Sequence, residues 1–306
     1  MEHQTLAYSN PADFRTQSVT ARKRAGTIDL SYSGKDIDFN EMMKHRTPVD
    51  PSEVLKEMQG QGHTFANIGV GTILTLTFQG KDYLAGTIQE REELGDFVFN
   101  PIGGYVHSRD LNRLDFAGLT EVAEEFLPIT GKNEIMRFSR RGAVIGRPYS
   151  GKYPGFETLI NLKTPARYQA PNLENCVTVR GASLRDSPQI LFETPRNAAK
   201  LVFNYHMETA FTNFGDLGVS FHGAEEKFNS KAEDPSKALE TFLNPYGIAL
   251  IQLQRGQLTE NVFQMISGEL SPGNPQEIAL SEVFLADENA IAERNTMPLP
   301  EFLRSQ

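Results

Sequence analysis

The run Ile68-Gly-Val-Gly-Thr-Ile-Leu-Thr-Leu-Thr-Phe78 decides the fold of this chain. It combines β-branched residues with apolar and polar alternation, a pattern typical of a β-strand. Residues 79–82, Gln-Gly-Lys-Asp, have turn composition, and residues 83–88 continue as a returning strand. A second short strand at 97–99 leads into the glycine turn Pro101-Ile-Gly-Gly104. The sequence therefore predicts a hairpin followed by a turn in the first half of the chain.

A cluster of carboxylates follows this turn. Asp115 suits the N-cap position and Pro128 suits a stop, so the sequence predicts a helix over residues 115–127. Within it, Glu121, Glu124 and Glu125 stand at positions i, i+3 and i+4, which project from one helix face. Like charges at that spacing repel unless a cation compensates them, and Mg²⁺ prefers carboxylate oxygens. We therefore expect a metal and phosphate site here, although solvated surface charge is the common alternative for such a triplet.

Together the turn and the helix resemble the Nudix box, the signature of the Nudix hydrolase superfamily. The matching residues are its opening glycine, its first acidic position and its Glu-aliphatic-x-Glu-Glu core: Gly104, Asp110, Glu121, Val122, Glu124 and Glu125. The resemblance covers residues 65–165 best, including the preceding hairpin. Residues 278–293 are faintly similar to the closing helix region of such domains.

The resemblance implies an α/β (α+β) fold, with a Nudix-type mixed β-sheet sandwiched between helices. It divides the chain into an N-terminal extension at 1–60 and a Nudix-like core at 61–175, with its box at 104–127. The C-terminal part, 176–306, is either a continuation of that domain with insertions or a second domain. The extension either packs on the main domain or serves as a partner-binding arm.

The resemblance also implies a divalent-metal-dependent hydrolase of a nucleoside diphosphate linked to another moiety. Its catalytic residues would be Glu121, Glu124 and Glu125, with the identity of the base left open among them. The same three glutamates and Asp110 would bind Mg²⁺ or Mn²⁺. Gly104 would let the backbone pass close to the metal and substrate.

Arginines cluster just after the predicted helix. Arg140 and Arg141 are candidates for substrate binding, because the guanidinium fork binds phosphates in a bidentate manner. Solvent-exposed surface is the alternative for both side chains.

The chain departs from the family motif at defined positions. Thr120 stands where the family has arginine, and Leu127 stands where it has a second glycine. Asp110 replaces a glutamate, and the loop after it is two residues longer than usual. A threonine hydroxyl does not replace a guanidinium fork. These departures favour an alternative function, a catalytically inactive Nudix-fold module that binds a nucleotide or a protein partner.

Composition limits the class of protein. The 306 residues are 39% hydrophobic and 23% charged, which is ordinary for a globular protein. A formal net charge of −9 argues against a nucleic-acid partner. No apolar run is long enough to span a bilayer, and the N-terminus lacks the pattern of a signal peptide. The single cysteine, Cys176, excludes an internal disulfide. We expect a cytoplasmic protein with a small nucleotide-type substrate, and a homodimer stays open because family members are often dimers.

Further elements are predicted along the chain. Asp50-Pro-Ser-Glu53 marks the start of a helix over residues 51–58. Other helices are expected at 235–242 and 277–293. Further strands are expected at 142–145, 158–162, 177–179, 189–192, 201–205, 247–253 and 262–266.

Overall fold

A computed structural model describes the fold. It describes residues 15–16, 18–24, 27–32, 36–91, 96–106, 110–111, 114–127, 134–135, 137–144, 167–168, 176–181, 189–208, 219–220, 248–266, 269–275, 277–278 and 290–294. The strands are β1 Arg15–Thr16, β2 Val19–Arg24, β3 Thr27–Tyr32, β4 Ile37–Asp38, β5 His63–Phe65, β6 Asn67–Phe78, β7 Lys81–Arg91, β8 Asp96–Asn100, β9 Gly103–Tyr105, β10 Phe126–Leu127, β11 Glu134–Ile135, β12 Arg137–Arg140, β13 Ala143–Val144, β14 Arg167–Tyr168, β15 Cys176–Gly181, β16 Gln189–Glu193, β17 Ala198–Glu208, β18 Val219–Ser220, β19 Ile248–Gln254, β20 Gln257–Ile266, β21 Glu269–Pro272 and β22 Ala290–Arg294. The helices are α1 Phe39–His45, α2 Pro51–Gln59 and α3 Leu114–Glu125, with a 3₁₀ turn at Thr194–Arg196.

The described part of the chain is a mixed α/β fold dominated by strands. A sheet of 13 strands runs in the order β13-β12-β15-β17-β6-β7-β19-β20-β21, with β8, β9, β16 and β22 pairing beside this path. The central pair, β6 with β17, is parallel over ten residues, and β12 with β15 is parallel as well. The other pairs of this sheet are antiparallel, so the sheet is mixed, as the sequence predicts.

One face of the sheet carries the main hydrophobic core. We call it the core face; it presents alternate side chains of β6 and β17, among them Val70, Leu74, Leu201 and Phe203. Helix α3 packs against β6, β9 and β12. A smaller cluster that includes Leu84, Phe99 and Ile251 lies on the opposite face.

Residues from the N-terminal region lie in the same core. Val19, Ile28 and Met58 are buried in one cluster with the side chains of β6 and β17. Phe65 stacks on Phe192 with ring centroids 4.9 Å apart. This region therefore packs on the sheet through apolar contacts.

Most of the predicted elements that fall on described residues are present. The long strands β6, β7, β17, β19 and β20 lie where the alternation predicts them. Helix α2 begins at Pro51, and the carboxylate of Asp50 accepts a hydrogen bond from the Ser52 backbone amide at 2.7 Å. The strand predicted at 158–162 and the helix predicted at 235–242 lie outside the described residues.

Two predictions are wrong in part. Residues 290–294 form strand β22, which pairs with β16, instead of the end of a helix. The edge of β16 supplies backbone partners that outweigh a weak local helical pattern. Asp115 is not an N-cap, because α3 begins at Leu114 and ends at Glu125, before residues 126–127 form a short strand.

Candidate active site

A glycine turn and helix α3 meet on the core face of the sheet. Strand β9 pairs with β6, with Gly104 opposite Val70 and Gly103 opposite Gly71. Because paired residues share a face, Gly104 faces the helix. Helix α3 rests on the sheet through buried Leu119 and Val122.

The carboxylate of Glu121 lies against Gly104. A Cβ built on this glycine would lie 2.6 Å from Cδ and 2.8 Å from Oε1 of Glu121, and closer still to Oε2. Real Cβ contacts are not this short, so the space that a side chain would fill is occupied by the glutamate head group. A side chain at position 104 would therefore displace the Glu121 head group from this place.

The other two glutamates lie on the same helix. Glu124 and Glu125 are the last two residues of α3, at i+3 and i+4 from Glu121, and their side chains are outside what the structure describes. Asp110 lies half-buried in a turn between β9 and α3. Among the described residues, no group of three or more His, Cys, Asp or Glu side chains has the arrangement of a metal site.

Arg140 and Arg141 both lie within ion-pair distance of Asp115. Arg140 is 3% exposed in its side chain, with Nε 3.5 Å from Oδ2 of Asp115. Its guanidinium carbon lies 4.9 Å from the centroid of the Tyr205 ring. Arg141 is 53% exposed, with Nη1 3.8 Å from the same oxygen. Arg140 therefore contacts the first turn of the glutamate helix.

Tyr205 also contacts the start of α3. Its hydroxyl donates a hydrogen bond to the carbonyl oxygen of Asp115. Burial raises the pKa of Tyr205, with Arg140 opposing the shift, so the phenol stays protonated and remains a donor. Gly118 gives Tyr205 room, since a Cβ there would lie 3.2 Å from the hydroxyl oxygen.

Thr120 has a local partner in the helix. Its hydroxyl donates to the carbonyl oxygen of Phe116 at 2.9 Å, one helical turn earlier. This back-bonding is the usual alternative for a threonine inside a helix. The hydroxyl of Thr120 is therefore engaged with the backbone of its own helix.

Sequence reasoning missed Asp115 and Tyr205 as parts of this arrangement. Asp115 resembles a helix cap in sequence, and Tyr205 is one apolar residue within a strand. Only the pairing of β17 with β6 brings Tyr205 beneath α3. No local signal identifies such a partner.

No protein-family model matches this chain, and no curated protein matches it. None of the helices within the described ranges has the length and apolar character to cross a bilayer.

Proposed function

We propose that the chain is a divalent-metal-dependent hydrolase of a nucleoside diphosphate linked to another moiety, with a Nudix-type arrangement of sheet and helix. The substrate would be a small nucleotide-type molecule bound beside helix α3.

One observation carries the proposal, the contact between the Glu121 carboxylate and Gly104. It joins the glycine turn and the helix, whose contacting residues lie 17 positions apart in sequence, at one point on the core face.

Carboxylate oxygens are the ligands that Mg²⁺ and Mn²⁺ prefer, and Glu121, Glu124, Glu125 and Asp110 would supply them under this proposal. A bound metal would neutralise phosphate oxygens and lower the pKa of a bound water. The absence of a side chain at Gly104 leaves room for the glutamate head group beside the backbone.

The buried contacts of α3 support a positioning role for its first turn. The Asp115 carboxylate, Arg140 and the Tyr205 hydroxyl hold that turn from two strands, β12 and β17. A helix held at its first turn keeps a fixed backbone position on the sheet, which a metal site built on that helix would need. We propose that Arg140 positions the helix, while exposed Arg141 is the better candidate for contact with a phosphate.

The alternative function is a catalytically inactive binding module. Thr120 favours it, because a hydroxyl bonded to the Phe116 carbonyl does not order the neighbouring glutamates as a guanidinium would. Such a module would bind a nucleotide or a protein partner through the same surface.

The experiment is product release from a panel of nucleoside diphosphate derivatives with Mg²⁺, Mn²⁺ or EDTA. We expect metal-dependent turnover by the natural chain, and a loss of about 100-fold or more in Glu125→Gln and Glu121→Gln. Glu53→Gln on the exposed side of α2 is the matched control and should keep full turnover.

Two outcomes separate the alternatives. Turnover that survives in both glutamine variants would contradict the assigned residues. No turnover across the panel, together with nucleotide binding that is indifferent to Mg²⁺, would favour the binding module.

A further inference from the structure

The face of the sheet opposite the core face carries two cations near its centre. On β6, Gly69 pairs with Tyr105 of β9 on one side and with Lys200 of β17 on the other. Arg46 covers Tyr105, with its guanidinium carbon 5.5 Å from the ring centroid and Nη1 donating to the tyrosine hydroxyl. We call Arg46, Tyr105 and Lys200 the cation row.

Gly69 and Gly71 of β6 lie beneath the Lys200 side chain. A Cβ built on Gly71 would lie 2.7 Å from Cε and 3.6 Å from Nζ of Lys200, and one built on Gly69 would lie 3.9 Å from its Cγ. The lysine side chain therefore runs along β6 where no side chains stand. Neighbouring strands are about 4.8 Å apart, so Tyr105 and Lys200 are separated by roughly 10 Å across Gly69.

The charges of the cation row lack compensation from the described residues. Lys200 and Arg46 form no ion pair with a carboxylate in the ranges that the structure describes, including Glu193 one register row away. The two cations lie on one face of the sheet, and their mutual repulsion costs free energy. An anion bound between them would relieve it.

Polar atoms beside the row also lack partners. The Nε atom of Arg46 and the Oδ1 atom of Asn67 are buried without a hydrogen-bond partner among the described residues. Asn67 is 2% exposed and precedes Gly69 by two positions, on the same face of β6. Buried polar groups normally find a partner, because an unpaired one costs about 1–3 kcal/mol.

We propose that the cation row binds a phosphoryl anion, a phosphate ester or diphosphate group of a small molecule. The Arg46 guanidinium supplies a planar donor fork, and Lys200 supplies a second charge from a side chain that lies over Gly69 and Gly71. This site needs no metal and lies on the other face from Glu121, so it does not depend on the hydrolase proposal.

The test is a calorimetric titration of pyrophosphate into the full-length chain in the presence of EDTA, which removes divalent metals. We expect binding, with a dissociation constant raised about tenfold or more in Lys200→Met and in Arg46→Met. Lys81→Met is the matched control, because Lys81 is an exposed lysine at a hairpin end. Glu121→Gln should leave this affinity unchanged.

A second variant keeps the test valid if Lys200→Met does not fold. Gly71→Ala retains every charge but places a methyl group where Cε of Lys200 lies, so the ammonium must move. We expect weaker pyrophosphate binding in this variant as well. No binding by the natural chain, equal affinity in the Lys200, Arg46 and Gly71 variants, or an equal loss in Lys81→Met would overturn the proposal.

Discussion

At the scale of single residues, the contact between Gly104 and Glu121 gives the sharpest expectation. In Gly104→Ala the new methyl group would collide with the carboxylate, the end of a flexible side chain that can rotate away. The free energy of unfolding should therefore fall by about 1 kcal/mol or less. Metal-dependent turnover should fall by about 100-fold, because the carboxylate is displaced. Denaturant unfolding and initial rates measure the two effects.

A double-mutant cycle provides the control for this prediction. In a Glu121→Ala background no carboxylate remains to be displaced, so Gly104→Ala should have little further effect on turnover. Additive losses in the double variant would mean that the glycine acts through something other than Glu121.

The ion pairs of Asp115 allow a matched comparison of a buried and an exposed arginine. Arg140→Met leaves the buried Asp115 carboxylate without its buried partner, which should cost about 3–5 kcal/mol of unfolding free energy. Arg141→Met removes a half-exposed partner of the same carboxylate and should cost about 1 kcal/mol or less. Chemical denaturation of both variants measures the difference. Similar losses would show that burial does not decide the strength of these pairs.

At the scale of elements, three hairpins have the same type of turn. Each places a non-glycine residue and then a glycine at positive φ: Gln79-Gly80, Arg141-Gly142 and Arg255-Gly256. Positive φ at both central positions matches the right-handed twist of the strands, and glycine adopts it without strain.

The turn at Gly80 allows the free-energy cost of positive φ to be measured without a steric clash. No atom lies within 4 Å of a Cβ built on Gly80, so Gly80→Ala meets no clash and changes only the conformational preference. We expect a loss of about 1–2 kcal/mol, and a smaller loss in Gly80→Asn, because asparagine tolerates positive φ. Thermal unfolding compares the two variants. An equal loss in both would contradict the φ argument.

Elements with strong local patterns were predictable from the sequence, and elements set by distant partners were not. Strand β6 alternates over twelve residues, and helix α2 carries its own cap. Strand β2, Val-Thr-Ala-Arg-Lys-Arg, is short and basic, and its apolar side chains are recognisable only because β3 and β5 pair with it. Strand β22 likewise depends on the edge of β16.

At the scale of the whole molecule, buried tyrosines predict an instability at alkaline pH. Burial raises the pKa of Tyr32, Tyr83 and Tyr205 in the folded chain, while their unfolded value stays near the ordinary 10. Above that pH the unfolded chain loses protons that the folded chain keeps, so stability is complete below about pH 10 and falls above it. The slope should reach at most about 1.4 kcal/mol per pH unit for each tyrosine.

Denaturant unfolding between pH 8 and pH 11 measures this slope. Tyr205→Phe removes one titrating group, so its stability should fall less steeply with pH than that of the natural chain, from a lower starting value. An identical slope in the variant would mean that Tyr205 titrates normally in the folded state.

Part of the candidate site was predictable from the sequence, and part was not. Start and stop signals in the sequence predicted the helix that carries Glu121, Glu124 and Glu125, but nothing in the sequence predicted the contact between Glu121 and Gly104. The role of Arg140 was not predictable, because β12 reaches α3 only through the strand order β12-β15-β17-β6. A pair such as Asp115 and Arg140, 25 positions apart, becomes visible only in the folded chain.

The central claim is that the glutamates of α3 form a metal site beside Gly104. Titration of Mn²⁺ followed by electron paramagnetic resonance tests it directly, because free Mn²⁺ gives a signal that binding reduces. We expect saturable binding by the natural chain and an affinity lower by more than about tenfold in Glu121→Gln. An absence of Mn²⁺ binding, or an equal affinity in Glu121→Gln, would contradict the claim.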